Sequence, residues 1–389
     1  LAEHIHVPSL PLPGQRAITL THLVMLRLIT GYTFLIVSLL GLFGTDWDIQ
    51  WHATIGRDRT FTPPHDLILL AIGLNGILAL TSILIESWWV RHNHELAERS
   101  TDFLGILHSS LGSYFIGFCA VSSAVAFPLD TYWHALYGVD VSLWAPFHTM
   151  LYMGASISII GILYIITSAI HLAESLHRPG LVRLGHAGVI VALALLLSRL
   201  TTFIFPSFDV NPGGINLFPV LLCACVALVC AIAVRNVPWP GTATLVILVL
   251  LVIYVLVSAC VPPLMTWLMQ VENQTYLPGT TFARSVVVPL IGQSPWLLLT
   301  GLSIDGVVFL SKRAHWSLAT RTWAIASAAA VGTAIVAALK LLSLASQTAS
   351  GGQGSILPFL LALVIAVPGG LLGNWFGTTI SKTIETLRS

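Results

Sequence analysis

The feature that most constrains this chain is a series of long apolar segments that carry almost no charge. A bilayer-spanning helix needs about 20 mostly apolar residues, and about ten segments meet that length. They lie at 20–43, 66–88, 102–127, 147–173, 181–205, 217–235, 241–268, 285–310, 321–345 and 356–379. Charged residues make up 8% of the 389-residue chain, against about 25% in an ordinary soluble domain. A soluble fold of this size cannot cover its surface with so few charges. A disordered chain is excluded as well, because such chains are polar and charged. The sequence therefore predicts an all-α, polytopic integral membrane bundle whose surrounding partner is membrane lipid. A net charge of +1 gives no basis for binding nucleic acid.

The basic residues predict orientation, because cytoplasmic loops collect Lys and Arg. Taken alternately from the N-terminal arm, one set of loops holds Arg16, Arg91, Arg99, Arg178, Arg183, Arg235, Lys312, Arg313, Arg321, Lys382 and Arg388. The opposite set holds only Arg57, Arg59 and Arg284. Both termini are thus expected in the cytoplasm of a bacterial or archaeal cell, with the loops at 44–65 and 128–147 facing outward across the cytoplasmic membrane. Residues 1–18, with Pro8, Pro11 and Pro13, read as an extended arm. Cys119, Cys223, Cys225, Cys230 and Cys260 lie in apolar runs with no metal-ribbon spacing, and read as small buried hydrophobes.

The two outward loops are copies of one pattern. The first runs Asp48-x-x-Trp51-His52-x-x-x-Gly56-x-Asp58, then Pro63-Pro64-His65. The second runs Asp130-x-x-Trp133-His134-x-x-x-Gly138-x-Asp140, then Pro146-Phe147-His148. Asp and His four apart share one face of a helical turn. A glycine turn then reverses the chain, and Pro starts the next helix, whose first turn presents a second His. Each loop can thereby converge one carboxylate and two imidazoles, a set suited to copper, zinc or non-haem iron. The candidate ligands are Asp48, His52 and His65 in the first loop, and Asp130, His134 and His148 in the second. Asp58 and Asp140 are candidates to accept a hydrogen bond from a ligand imidazole, and Arg57 to pair with one of these acids. Trp and His also gather at membrane interfaces without a metal, but anchoring alone does not call for a repeat.

These residues resemble the C subunit of the particulate methane and ammonia monooxygenases, the copper membrane monooxygenase family. Asp48-x3-His52-x12-His65, with Phe61-Thr62-Pro63-Pro64-His65, is similar to that family's Asp/His/His copper site. His134-x13-His148, with Ala145-Pro146-Phe147-His148, is similar to its Asn/His/His site, and Asp130 stands where the family pattern has Asn. The resemblance covers residues of about 16–175, roughly four spans by the twenty-residue criterion. It implies copper as cofactor and an O2-dependent oxidising complex with other subunits, one bearing a cupredoxin-like domain. The chain accordingly divides into the arm at 1–18, a four-helix region with the metal loops at 19–175, and further membrane helices at 176–389 of unassigned role.

Two other readings belong to different classes. One is a non-catalytic subunit that holds metal or structure within a larger membrane assembly. The other is a transporter, which would need broken helices around a midplane path, and for which Pro368-Gly369-Gly370 is the one suggestive feature. His22, His108, His171 and His186 lie in or near spans, but no shared spacing favours haem. Arg27, Glu86 and Asp305 read as charges that snorkel from helix ends, and Arg199 and Lys340 as charges that could do the same.

Overall fold

The computed structural model describes residues 18–56, 60–138, 143–210, 217–277, 288–347 and 356–386. Among these, nearly all residues fall in ten long helices: α1 (Leu20–Thr54), α2 (Pro63–His92), α3 (Leu111–Tyr137), α4 (Pro146–Ser175), α5 (Pro179–Ile204), α6 (Leu217–Asn236), α7 (Thr242–Val271), α8 (Val288–Arg313), α9 (Leu318–Gln347) and α10 (Ile356–Thr386). The helices α1 to α7 are long and apolar enough to cross a membrane. The chain is therefore read as an integral membrane protein.

Two boundaries differ from the sequence expectation in ways that bear on function. First, α1 and α3 continue well past the apolar windows. α1 reaches Thr54, about three turns beyond residue 43, and α3 reaches Tyr137. The polar segments with Asp48, His52, Asp130 and His134 are thus helical, not loop. Their i,i+4 faces stay paired because no breaker intervenes before Gly56 and Gly138. Second, the expected span from residue 102 begins with a β-hairpin. β1 (Thr101–Phe103) pairs antiparallel with β2 (Leu107–Ser109), turning at Gly105 in the left-handed region. Ser110 then caps α3, its hydroxyl accepting from Ser113 N–H. Pro262–Pro263 and Pro368 do not end their helices: α7 and α10 run through them.

The helices α1 to α5 pack as neighbours, and the interior seam of α1, α4 and α5 carries fully buried Phe34, Ile162, Leu163, Ile166 and Leu193. Small residues allow close crossings, as membrane bundles require in the absence of a hydrophobic drive between helices. A Cβ on Gly112 of α3 would collide with the Gly161 carbonyl oxygen of α4. Antiparallel alternation brings the C-terminal ends of α1, α3 and α5 and the N-terminal ends of α2 and α4 to one end of the bundle.

The intramembrane charges are partnered rather than snorkelling. Arg27 and Glu86, 3% and 1% exposed, form an ion pair at 2.8 Å between α1 and α2. Asp305 of α8 accepts from the backbone N–H groups of Ala243 and Thr244 and from the Thr244 hydroxyl, at 2.7–3.1 Å. It caps α7, whose first residue follows Gly241 and finds no side-chain cap nearer in sequence. Arg199 is 6% exposed and binds within the bundle. The side chain of Lys340 lies outside the described residues.

Candidate metal centres

Both copies of the repeat fold in the same way. Gly56 and Gly138 follow the ends of α1 and α3 with φ of 69° and 85°, the left-handed region that a side chain would disfavour. Pro63 and Pro146 occupy the first position of α2 and α4, where the missing N–H costs nothing. His65 and His148 then fall at the third helical position of their helices and point back toward the helix that precedes them.

The result is two near-identical clusters. Asp48 Oδ1 lies 3.5 Å from His52 Nε2 and 3.1 Å from His65 Nε2. Asp130 Oδ2 lies 3.4 Å from His134 Nε2 and 3.3 Å from His148 Nε2. In each cluster all three ligand atoms fall within 4.8 Å of one another. The six side chains are 13–23% exposed, shielded but open at one side.

The outer ring nitrogens are held by backbone that sequence reasoning did not single out. His65 Nδ1 lies 3.2 Å from the Thr60 carbonyl, and His134 Nδ1 lies 3.2 Å from the Gly138 carbonyl. A carbonyl only accepts, so each Nδ1 carries a proton and Nε2 is the nitrogen turned inward to the carboxylate. Nε2 meets the carboxylate oxygen either as an N–H donor to it, as an ion pair, or, once that proton is displaced, as a lone pair that can share a cation with it. Bonds of about 2.0–2.2 Å to one ion would set its ligand atoms about 3.0–3.6 Å apart, the range the four Asp–His distances occupy. Two imidazoles and a carboxylate fit copper, zinc or non-haem iron. Asp58, Asp140 and Arg57, expected to support the ligands, lie outside the described residues.

Both centres border a single cavity of about 360 Å³ enclosed by α1 to α5. Asp48 and His52 line it from the first cluster and His148 from the second. Its walls are mostly apolar, with Ile49, Ile68, Ile72, Leu151 and Ile159. Ser38, Gly41, Thr45, Asp48 and His52 also line it, spaced three and four apart down one face of α1. Arg199, Phe205 and Pro206 come from the part of the chain, 176–389, to which the sequence assigned no role. α7 leads into a further contact: Leu277 N–H donates to the Thr54 carbonyl at 2.8 Å, bracing the end of α1.

Two of the histidines expected in or near spans have local partners. His22 Nδ1 lies 2.9 Å from the Thr19 hydroxyl at the start of α1, and the His186 ring meets the edge of Trp239. Compared with protein-family models, with curated proteins and with solved structures, the chain finds no match.

Proposed function

We propose that this chain is a copper-binding integral membrane subunit of an O2-dependent oxidising complex. Asp48, His52 and His65 hold one ion and Asp130, His134 and His148 a second, on the extracytoplasmic side of the membrane. The observation that carries the reading is the convergence of three potential ligand atoms, twice, beside one mostly apolar cavity. The excess of Lys and Arg at the opposite helix ends supports the orientation.

Within this reading the chain's own groups have distinct tasks. The carboxylate of each cluster offsets the charge of the ion. The carbonyls of Thr60 and Gly138 fix the tautomer of His65 and His134, so that Nε2 is the ligand. The isoleucine-lined walls keep water from the reacting end of the cavity and suit a small apolar substrate. Copper bound there would supply electron transfer and O2 binding, chemistry that belongs to the metal rather than to the chain. Electrons then come from a partner, for which a subunit with a cupredoxin-like domain is the expectation.

The test is to isolate the chain with its partners from native membranes and measure O2 uptake with reductant and a short alkane. Uptake that needs copper and is lost in His52→Ala or His134→Ala supports the proposal. Copper-loaded complex with no uptake would instead make this a metal-holding subunit.

A further inference from the structure

The inner end of the cavity carries polar groups that metal binding does not use. Arg199 lines it, about two turns along α1 from His52, where Gly41 leaves room for the guanidinium: a Cβ on Gly41 would lie 3.3 Å from Arg199 Nη2. Arg199 donates to the Thr45 hydroxyl at 2.9 Å and to the Ser38 carbonyl at 3.4 Å. A guanidinium has five N–H donors, and these two bonds leave most of them unspent. Among the described residues no carboxylate oxygen lies within 4.0 Å of it. Tyr152 of α4 lines the same cavity, is 8% exposed, and among the described residues its hydroxyl has no hydrogen-bond partner. An unmade buried hydrogen bond is costly, so two groups with unspent donors lining one cavity call for a ligand.

The charge around these groups narrows the ligand class. Asp46, 1% exposed, already faces Arg199 electrostatically from beyond ion-pair distance. A ligand carboxylate would crowd a second acid, after Asp46, onto one buried guanidinium at an otherwise mostly apolar wall. A neutral oxygen adds no charge. The volume of about 360 Å³ is more than twice the roughly 150 Å³ that accepts benzene.

We propose that Arg199 and Tyr152 form a subsite for the oxygen of a small neutral amphiphile, an alcohol or ketone. The apolar body of that ligand lies along Ile68, Ile72 and Ile159, in the cavity that reaches Asp48, His52 and His148. The assignment deepens the oxidising function proposed above and rests on it for its biological meaning. Ligand binding itself does not require the metal.

The experiment uses full-length, metal-free protein in lipid nanodiscs. Binding of 4,4-difluorocyclohexanol, 1,1-difluorocyclohexane and cyclohexanecarboxylate is measured, the first two by fluorine NMR and the third by competition. Tyr152→Phe removes only an unpartnered oxygen, so the variant should fold and keep its thermal stability. The alcohol should bind it about five- to tenfold more weakly than wild type, the worth of one hydrogen bond. The hydrocarbon should bind both equally, and the carboxylate should be the poorer competitor. Equal alcohol affinity in both proteins, parallel loss for alcohol and hydrocarbon, or carboxylate binding as tight as alcohol would each overturn the subsite. Copper titration of the same two proteins separates the readings. If wild type takes no copper, the oxidising function fails whatever the alcohol result. If Tyr152→Phe loses alcohol but keeps copper, the subsite stands on its own.

Discussion

Glu86→Gln isolates the charge of a buried ion pair with little change of shape. In the native protein the Arg27 guanidinium donates to both carboxylate oxygens of Glu86, at 2.8 and 3.2 Å, and to the Arg99 carbonyl at 2.8 Å. The side chains are 3% and 1% exposed, so neither charge is solvated by water. Burying two ions is costly, and their attraction offsets that cost only while both remain. Gln keeps one acceptor for Arg27 but leaves a buried cation unpaired. Loss of one partner of such a pair costs about 3–5 kcal/mol. The surviving hydrogen bond places Glu86→Gln near the lower end, about 3 kcal/mol. The double variant Arg27→Met with Glu86→Leu has no charge to strand and should lie within about 1 kcal/mol of wild type. Reversible unfolding in mixed micelles of wild type, Arg27→Met, Glu86→Leu and the double variant gives the coupling energy. If Glu86→Gln unfolds within about 0.5 kcal/mol of wild type, the size expected of a surface change, the pair does not carry the α1–α2 junction.

Three further outcomes follow from single contacts. Asp305→Ala strips the cap from α7 and should cost about 1–2 kcal/mol, with Asp305→Asn less damaging, read by the same unfolding assay. Gly112→Ala places a methyl group against the Gly161 carbonyl, so α3 must shift on α4. The expected loss is about 1–3 kcal/mol, and an unchanged melting curve would argue against the close crossing. Gly138→Ala strains a left-handed turn by about 1–2 kcal/mol and displaces the carbonyl that holds His134. It should weaken metal binding about 10- to 100-fold at the second centre only, read by competition with a chelator.

The site was more legible in the sequence than the fold around it. Asp and His four apart, a glycine, and Pro-x-His define a helix end, a reversal and a helix start. That local logic alone brings the ligands together. Apolar windows located the helices but misplaced their ends, because Asp48–His52 and Asp130–His134 continue a helix with side chains that hydropathy counts against it. The segment 102–110 misled for the opposite reason: Phe103, Leu104 and Ile106 look like membrane residues but sit in a hairpin set by Gly105 and closed by the Ser110 cap. Partnerships across the bundle left no sequence signal. Arg27 and Glu86 are 59 residues apart, and Arg199 and Thr45 are 154 apart, so each charge read singly resembles a snorkelling side chain. The role of Arg199 was missed for that reason.

Metal binding requires that the six convergent side chains hold ions. Purified protein loaded with copper and desalted, then assayed by elemental analysis, tests this directly. Wild type should retain two equivalents, one for each cluster, with His52→Ala and His134→Ala each retaining one and the double variant none. Copper content that is the same in wild type and in both single variants would contradict it.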